Sequence, residues 1–307
     1  MKIGLIDVDG HNYPNLPLMK ISAYHKREGD SVEWYDPLFG GNYDKVYMSK
    51  VFSFSPDYEY PINADVVERG GTGYCIETVN GKEVFLKEKH RDLPCGIEWM
   101  YPDYSLYGIS GVAYGFLTRG CPRGCSFCHV KDKEGRCSRK VADLSEFWSG
   151  QKQIVLSDPN FFACKDWETL SGQLIESGSY VDFNQGIDVR LMTEKKIEHL
   201  NQMKIKEIHL AWDRPDEDLR EDFKRFSELY KRKSASQKIV YVLVNFNSTI
   251  EQDLYRIYTL RELGYDPYIM IYNKKNADRV YKDMARWVNN RFIWRKTEKF
   301  EDYKVHR

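Results

Sequence analysis

Cys121, Cys125 and Cys128 stand in the pattern C-x-x-x-C-x-x-C, on a short stretch that also holds Pro122 and Gly124. Thiolates this close in sequence can share one iron–sulfur cube. A cube has four irons and is usually held by four cysteines. This stretch supplies three, which leaves one iron open to another ligand. Two plainer readings stand beside that one. A zinc site closes with four ligands, often from paired C-x-x-C units, and His129 or Cys137 could be the fourth here. Three cysteines can also be buried structural thiols. Zinc or a closed cluster would make the chain a non-catalytic metal-binding module.

The elements around the triplet say where it must sit. A strand-like run, Tyr114 to Arg119, precedes it. From residue 113 onward strand and helix signals alternate. Strands are expected over 113–119, 153–158, 180–187, 206–212, 238–246 and 267–272. The helices between them carry apolar stripes. One has Trp167, Leu170 and Leu174 behind an Asp166 cap. The next has Ile197 and Leu200 behind Thr193, and a third has Leu219, Phe223, Phe226 and Leu229. A Ser248–Glu251 capping box opens the last, which bears Leu254, Ile257 and Leu260 and stops at Gly264. Right-handed crossovers between six such strands build a partial (β/α)6, TIM-like barrel. Barrel sites gather at the C-terminal strand ends, and the cysteine stretch follows the first strand.

Other polar residues stand at those ends. They are Ser157, Asp158 and Asn160 after the second strand, and Gln185, Asp188 and Arg190 after the third. Asp213 follows the fourth, and Asn245, with Asn247, the fifth. Asp and Asn there also favour turns. Asp188 and Arg190 can pair as a structural bridge, or the arginine fork can clamp a carboxylate. His209 reads as a residue packed on its strand.

Ahead of this lies a smaller α/β unit. Residues 1–9 read as a buried strand, and Asn15 caps a helix that ends at Gly29. Strands follow at 31–35, 45–52 and 65–68, an order that argues for a small Rossmann-like parallel sheet. Asn80-Gly81 is a hairpin turn signal between 76–79 and 83–86. The boundary is placed at 95, with 1–95 the Rossmann-like domain and 96–307 the barrel with a helical, basic C-terminal extension. In that extension basic residues alternate with Trp287, Phe292 and Trp294. A terminal helix with Val280, Met284 and Trp287 inward explains them, and nucleic-acid binding is not indicated.

The cysteine stretch, with aromatic Phe127 before its last cysteine, resembles the signature of the radical S-adenosylmethionine (SAM) superfamily. The resemblance implies a [4Fe-4S] cluster on Cys121, Cys125 and Cys128, with SAM on the open iron. It implies reductive cleavage of SAM to a 5′-deoxyadenosyl radical that attacks an unknown substrate. It carries Phe127, Ser157, Asp158, Asn160, Gln185, Asp188, Arg190, Asp213 and Asn245 over as SAM-side candidates. Arg190 would hold the methionyl carboxylate. The partners implied are SAM, an electron donor such as a flavodoxin or ferredoxin, and that substrate. Methyl or methylthio transfer is one open reaction class.

The N-terminal unit resembles the cobalamin-binding domain of one radical SAM subgroup. Asp9 and His11 match its D-x-H-x-x-G motif, with His11 in the place of the cobalt's lower ligand. Pro14 replaces the glycine, and the unit is short for a corrin ring. Gly70-Gly71 resembles the later glycine pair. A degenerate scaffold or substrate-side domain is favoured over a true cobalamin site.

Composition agrees with an enzyme core. The chain has 307 residues, 42% of them hydrophobic, enough for a large core. Lys+Arg and Asp+Glu each number 46, so no net charge draws it to nucleic acid or membranes. No secretory signal and no apolar span are read. Seven cysteines, unevenly placed, do not form a disulfide framework, and a reducing cytoplasm is expected. Cys75, Cys95, Cys137 and Cys164 are expected as small buried residues.

Overall fold

The computed structural model describes residues 1–79 and 82–303; the Asn80-Gly81 turn lies outside them. Two compact units form. One comprises Met1–Gly115, Gly120–Cys137 and Ala142–Lys152; the other comprises Phe116–Arg119, Ser138–Val141 and everything from Gln153 on. Among the described residues no helix is long and apolar enough to cross a membrane.

In the first unit, β1 (Lys2–Asp7), β2 (Ser31–Trp34), β3 (Tyr43–Ser49) and β4 (Ala64–Gly70) make a parallel sheet in the order β2-β1-β3-β4. Helix α1 (Leu16–Arg27) links β1 to β2. It starts where the Asn15 side chain accepts from Leu18 N and stops before Gly29, whose φ is +86°. Ile3 and Leu5 of β1 pack on Leu18 and Ile21 of α1, with Tyr47 and Ile97. A hairpin follows, β5 (Ile76–Val79) with β6 (Lys82–Phe85), then the single turn α2 (Cys95–Glu98) and the short strand β7 (Val112–Gly115). Residues 96–115, placed after the boundary by sequence, belong to this unit. Asp103 explains it: its amide donates to Met19 O, and its carboxylate accepts from Ser22 Oγ and Lys26 Nζ on α1.

The second unit contains the small antiparallel pair β8 (Thr118–Arg119) and β9 (Arg139–Lys140); between them in sequence lies α3 (Val130–Lys133). Strand and helix then alternate as β10 (Gln153–Leu156), α4 (Trp167–Ser177), β11 (Tyr180–Phe183), α5 (Glu194–Gln202), β12 (Ile208–Ala211) and α6 (Arg220–Leu229). The series ends with β13 (Lys238–Val244), α7 (Ile250–Glu262), β14 (Asp266–Ile271), α8 (Arg279–Asn289) and α9 (Arg291–Lys296). β10 pairs with β11, and β12, β13 and β14 pair in that order, all parallel. An isolated parallel bridge, Ile187 to Leu210, continues the run between them. The class is α/β with parallel sheets, as expected.

Local differences have local causes. The box that opens α7 is Thr249 with Gln252, one residue beyond Ser248–Glu251, because Thr249 is the last residue with extended backbone. Asp166 holds the N-cap position of α4 without a side-chain bond, since its ψ is 11° rather than extended. Leu229 ends α6 39% exposed; Leu219, Phe223 and Phe226 make the buried face. Cys75 and Cys164 are buried as expected, whereas Cys95 and Cys137 are exposed. Tyr281, Met284, Trp287 and Val288 form the buried side of α8.

Candidate functional site

The cysteine loop leaves β8 at Gly120 and returns to β9 at Ser138. Its root is fixed by backbone chemistry. Gly120 has φ +89°, and a Cβ there would fall 2.2 Å from Cys137 O. Its amide donates to Glu134 Oε2 at 2.9 Å, and Cys121 N donates to Gly135 O at 3.2 Å. Gly124 (φ +58°) lets the chain turn between the first two cysteines, and Cys128 N donates to Cys125 O. Cys121, Cys125, Cys128 and Phe127 are all half-buried. Alanine at Gly120 should therefore detach this root, since strain of about 1–3 kcal/mol at such a φ adds to the clash. Iron bound per reconstituted chain should fall well below wild type, and equal loading would refute it.

These residues fit a cube. Three half-buried thiols come from one loop, and thiolates are the donors that an iron–sulfur cube takes. Among the described residues no three His, Cys, Asp or Glu side chains converge on one metal ion. The thiols of a cube bind different irons and need not converge. His129 has Nε2 3.6 Å from Glu83 Oε2 and its ring near Phe85.

The structure gives Asp158 a positioning task. It is 3% exposed. Oδ1 accepts from Thr118 N and Thr118 Oγ1, and Oδ2 accepts from Leu117 N. It thus ties β10 to the strand that feeds the cysteine loop. Burial pushes its pKa up to about 7 against the pull of those bonds. Ser157 beside it is half-buried, and Asn160 is buried, its carbonyl accepting from Ser138 Oγ.

After β11, Gln185 is exposed. Asp188 accepts from Arg190 N and from Arg190 Nε at 2.6 Å, so the structural pairing foreseen for these two is present. Arg190 Nη1 also donates to Glu217, a partner that sequence reasoning missed. Arg190 stays partly exposed, with a fork already oriented by two carboxylates. Asp213 follows β12, its pKa raised to about 6 by burial, with Arg256 and Arg190 pulling the other way.

Asn245 has a structural duty of its own. Its φ is +63°, and its Nδ2 donates to Tyr272 O at 3.0 Å. Asn247 and Asn273 are left-handed too, at +50° and +47°. Asparagine tolerates this region better than other side chains. Arg256 was also missed. It is buried, donates to Trp212 O and Leu243 O, and pairs with Asp253. The i,i+3 spacing of Asp253 and Arg256 was visible, but it reads equally as a surface pair.

In the first unit the D-x-H match does not form a pair. Asp9 accepts from Val51 N, Phe52 N and Ser55 Oγ. His11 is exposed and stacks on Trp34, ring centroids 4.1 Å apart, with Tyr107 edge-on. Gly71 (φ +101°) is needed for close packing, since a Cβ would meet Lys50 O at 2.3 Å.

No protein-family model and no curated protein matches the chain. Among solved structures it is similar to TsrM, a radical S-adenosylmethionine methyltransferase from Kitasatospora setae. With TsrM holding cobalamin and a [4Fe-4S] cluster, the TM-score is 0.59 at 11% identity, over 88% of this chain and 74% of that one. With TsrM holding its tryptophan substrate and the SAM analogue aza-SAM, it is 0.61 at 12% identity, over 87% and 72%. The likeness is one of fold: over most of its length this chain folds as the radical SAM methyltransferase TsrM does.

Proposed function

We propose that this chain is a radical SAM enzyme, with Cys121, Cys125 and Cys128 ligating a [4Fe-4S] cluster and SAM completing it. The observation that carries this is a three-thiol loop, rooted at Gly120, in a chain with the TsrM fold. Bound there, the cluster would supply the electron that cleaves SAM to methionine and a 5′-deoxyadenosyl radical, or would hold SAM for a methyl transfer that consumes no net electron. The chain's residues bind, orient and shield. Phe127, Ser157, Asn160, Gln185 and Asp213 remain candidates for SAM contact. Arg190, oriented by Asp188 and Glu217, is the candidate for its carboxylate. Asp158 and Asn245 act through backbone they hold in place. An electron donor such as a flavodoxin or ferredoxin would serve it. Methyl transfer is the reaction class that the TsrM fold favours; methylthio transfer has no separate support.

Cobalamin is a cofactor of the TsrM structure. Here Asp9 is engaged with residues 51–55 and His11 with Trp34. That favours a unit that does not use His11 as a cobalt ligand.

Anaerobic reconstitution with iron and sulfide, then SAM and dithionite, tests the proposal. A cluster absorption band is expected, together with SAM turnover to 5′-deoxyadenosine or S-adenosylhomocysteine. A colourless protein holding one zinc and leaving SAM intact would overturn it in favour of a metal-binding module. Adding cobalamin and inspecting the purified protein's spectrum tests the first unit.

A further inference from the structure

Side chains alternate across the strands of the second unit. Val181, Phe183, Leu210, Val240, Val242 and Ile269 are buried on one face, where Phe183 packs on Phe161 and Phe162. The same strands turn Asp182, His209, Tyr241, Tyr268 and Met270 to the other face. Parallel sheets are normally buried on both faces. Here Tyr268 and Met270 stay 46% and 48% exposed.

At the centre of that open face lies a group that none of the roles above uses. The His209 ring lies parallel to Tyr241, centroids 5.4 Å apart and 5° between planes. Its Nδ1 is 3.6 Å from Asp182 Oδ1, and its Nε2 is 3.5 Å from Glu207 Oε1. At 3.6 Å the first contact is too long for a hydrogen bond. Asp182 Oδ1 and His209 Nδ1 are both buried without a partner. The Asp182 side chain is nevertheless 32% exposed, and with Oδ1 covered the oxygen left to meet a ligand is Oδ2. Tyr241 and Tyr268 meet edge to face beside it, and Asp182 and Glu207 help to hold the Tyr241 phenol above its usual range, after burial. Lys206 lies over Tyr180, and Arg291 is 4.0 Å from Glu207, the carboxylate beside His209 Nε2.

A half-buried carboxylate beside aromatic faces attracts a cation, and more strongly as water is excluded. Resting on the radical SAM reading above, we infer that this face is the substrate wall and that it takes a small molecule bearing a protonated amine. The ammonium pairs with Asp182 and lies against Tyr241 and Tyr268. His209 is a positioning residue that backs the carboxylate.

Phenethylamine and 2-phenylethanol test this, since they share a shape and differ in charge. Their binding to the reconstituted chain is measured by calorimetry. The amine should bind about tenfold or more tightly than the alcohol. Asp182→Asn should reduce the amine to the level of the alcohol, with circular dichroism confirming the fold. Tyr268→Leu, at a half-exposed position, should weaken both. Equal binding of the two probes, no binding of either, or amine selectivity that survives Asp182→Asn overturns the inference. Should Asp182→Asn not fold, the selectivity of the unaltered chain and the Tyr268→Leu result decide. SAM turnover is followed in the same preparation. Turnover without amine selectivity sinks the wall alone, and selectivity without turnover sinks the radical SAM reading alone.

Discussion

Serine in place of Cys125 should yield a reconstituted protein without the brown cluster band and without SAM turnover. A serine hydroxyl stays protonated at neutral pH and is a poor ligand for iron, whereas a thiolate binds it. Two protein ligands would then remain for a cube that already lacks a fourth. Removing an outer-shell partner of a metal costs roughly 10–100-fold in affinity or activity, so removing a direct ligand should exceed that. Ser126→Ala, on the same loop and exposed, serves as control and should load normally. Iron content and absorption of the two variants are compared side by side. Cluster loading of Cys125→Ser equal to that of the control would end the proposed ligand set.

Alanine in place of Asp158 should be nearly as severe, through stability. It would leave the buried amides of Leu117 and Thr118 without acceptors. Each such group costs about 1–3 kcal/mol, so a total loss of about 2–6 kcal/mol is expected. Urea unfolding followed by circular dichroism reads it, and an unchanged midpoint would refute the tie.

The same carboxyl gives a pH signature. Its folded pKa, about 7, lies above the ordinary aspartate value of 3.8. Between those values the native state holds a proton that the unfolded chain has released. The contribution is therefore fully present below about pH 4 and is lost as pH rises through 7. Unfolding midpoints at pH 5 and pH 8 should differ in that sense in the wild type. The difference should shrink in Asp158→Asn, which cannot titrate. Identical pH slopes in the two proteins would count against it.

Much of the architecture was legible because burial forces periodicity. One-sided helices must repeat near 3.6 residues, and Phe223 and Phe226, or Ile257 and Leu260, could hardly belong elsewhere. Gly29 and Gly264 marked helix ends because few other residues accept their φ. The cysteine triplet was legible because its three thiols are neighbours in sequence. Duties set by distant partners were not. Asp158 meets Thr118 across 40 residues, and Arg190 meets Glu217 across 27. An aspartate that anchors a strand and one that holds a cofactor look alike in a string of letters. Asn245 shows the same ambiguity, since a left-handed turn and a ribose contact select the same side chain. Asp182 and His209 were hidden for the opposite reason. Inner-face residues alternate with core residues, and a histidine in a strand reads as packing.

The cysteine loop is held by glycine turns and amide bonds at its root, and Cys121, Cys125 and Cys128 are half-buried. These bonds run through backbone amides and the Glu134 carboxylate, so the two ends of the loop are fixed without using any of the three thiols. All three thiols thereby stay available for the ligand role proposed above, and on that reading the loaded protein is the form to keep from oxidants.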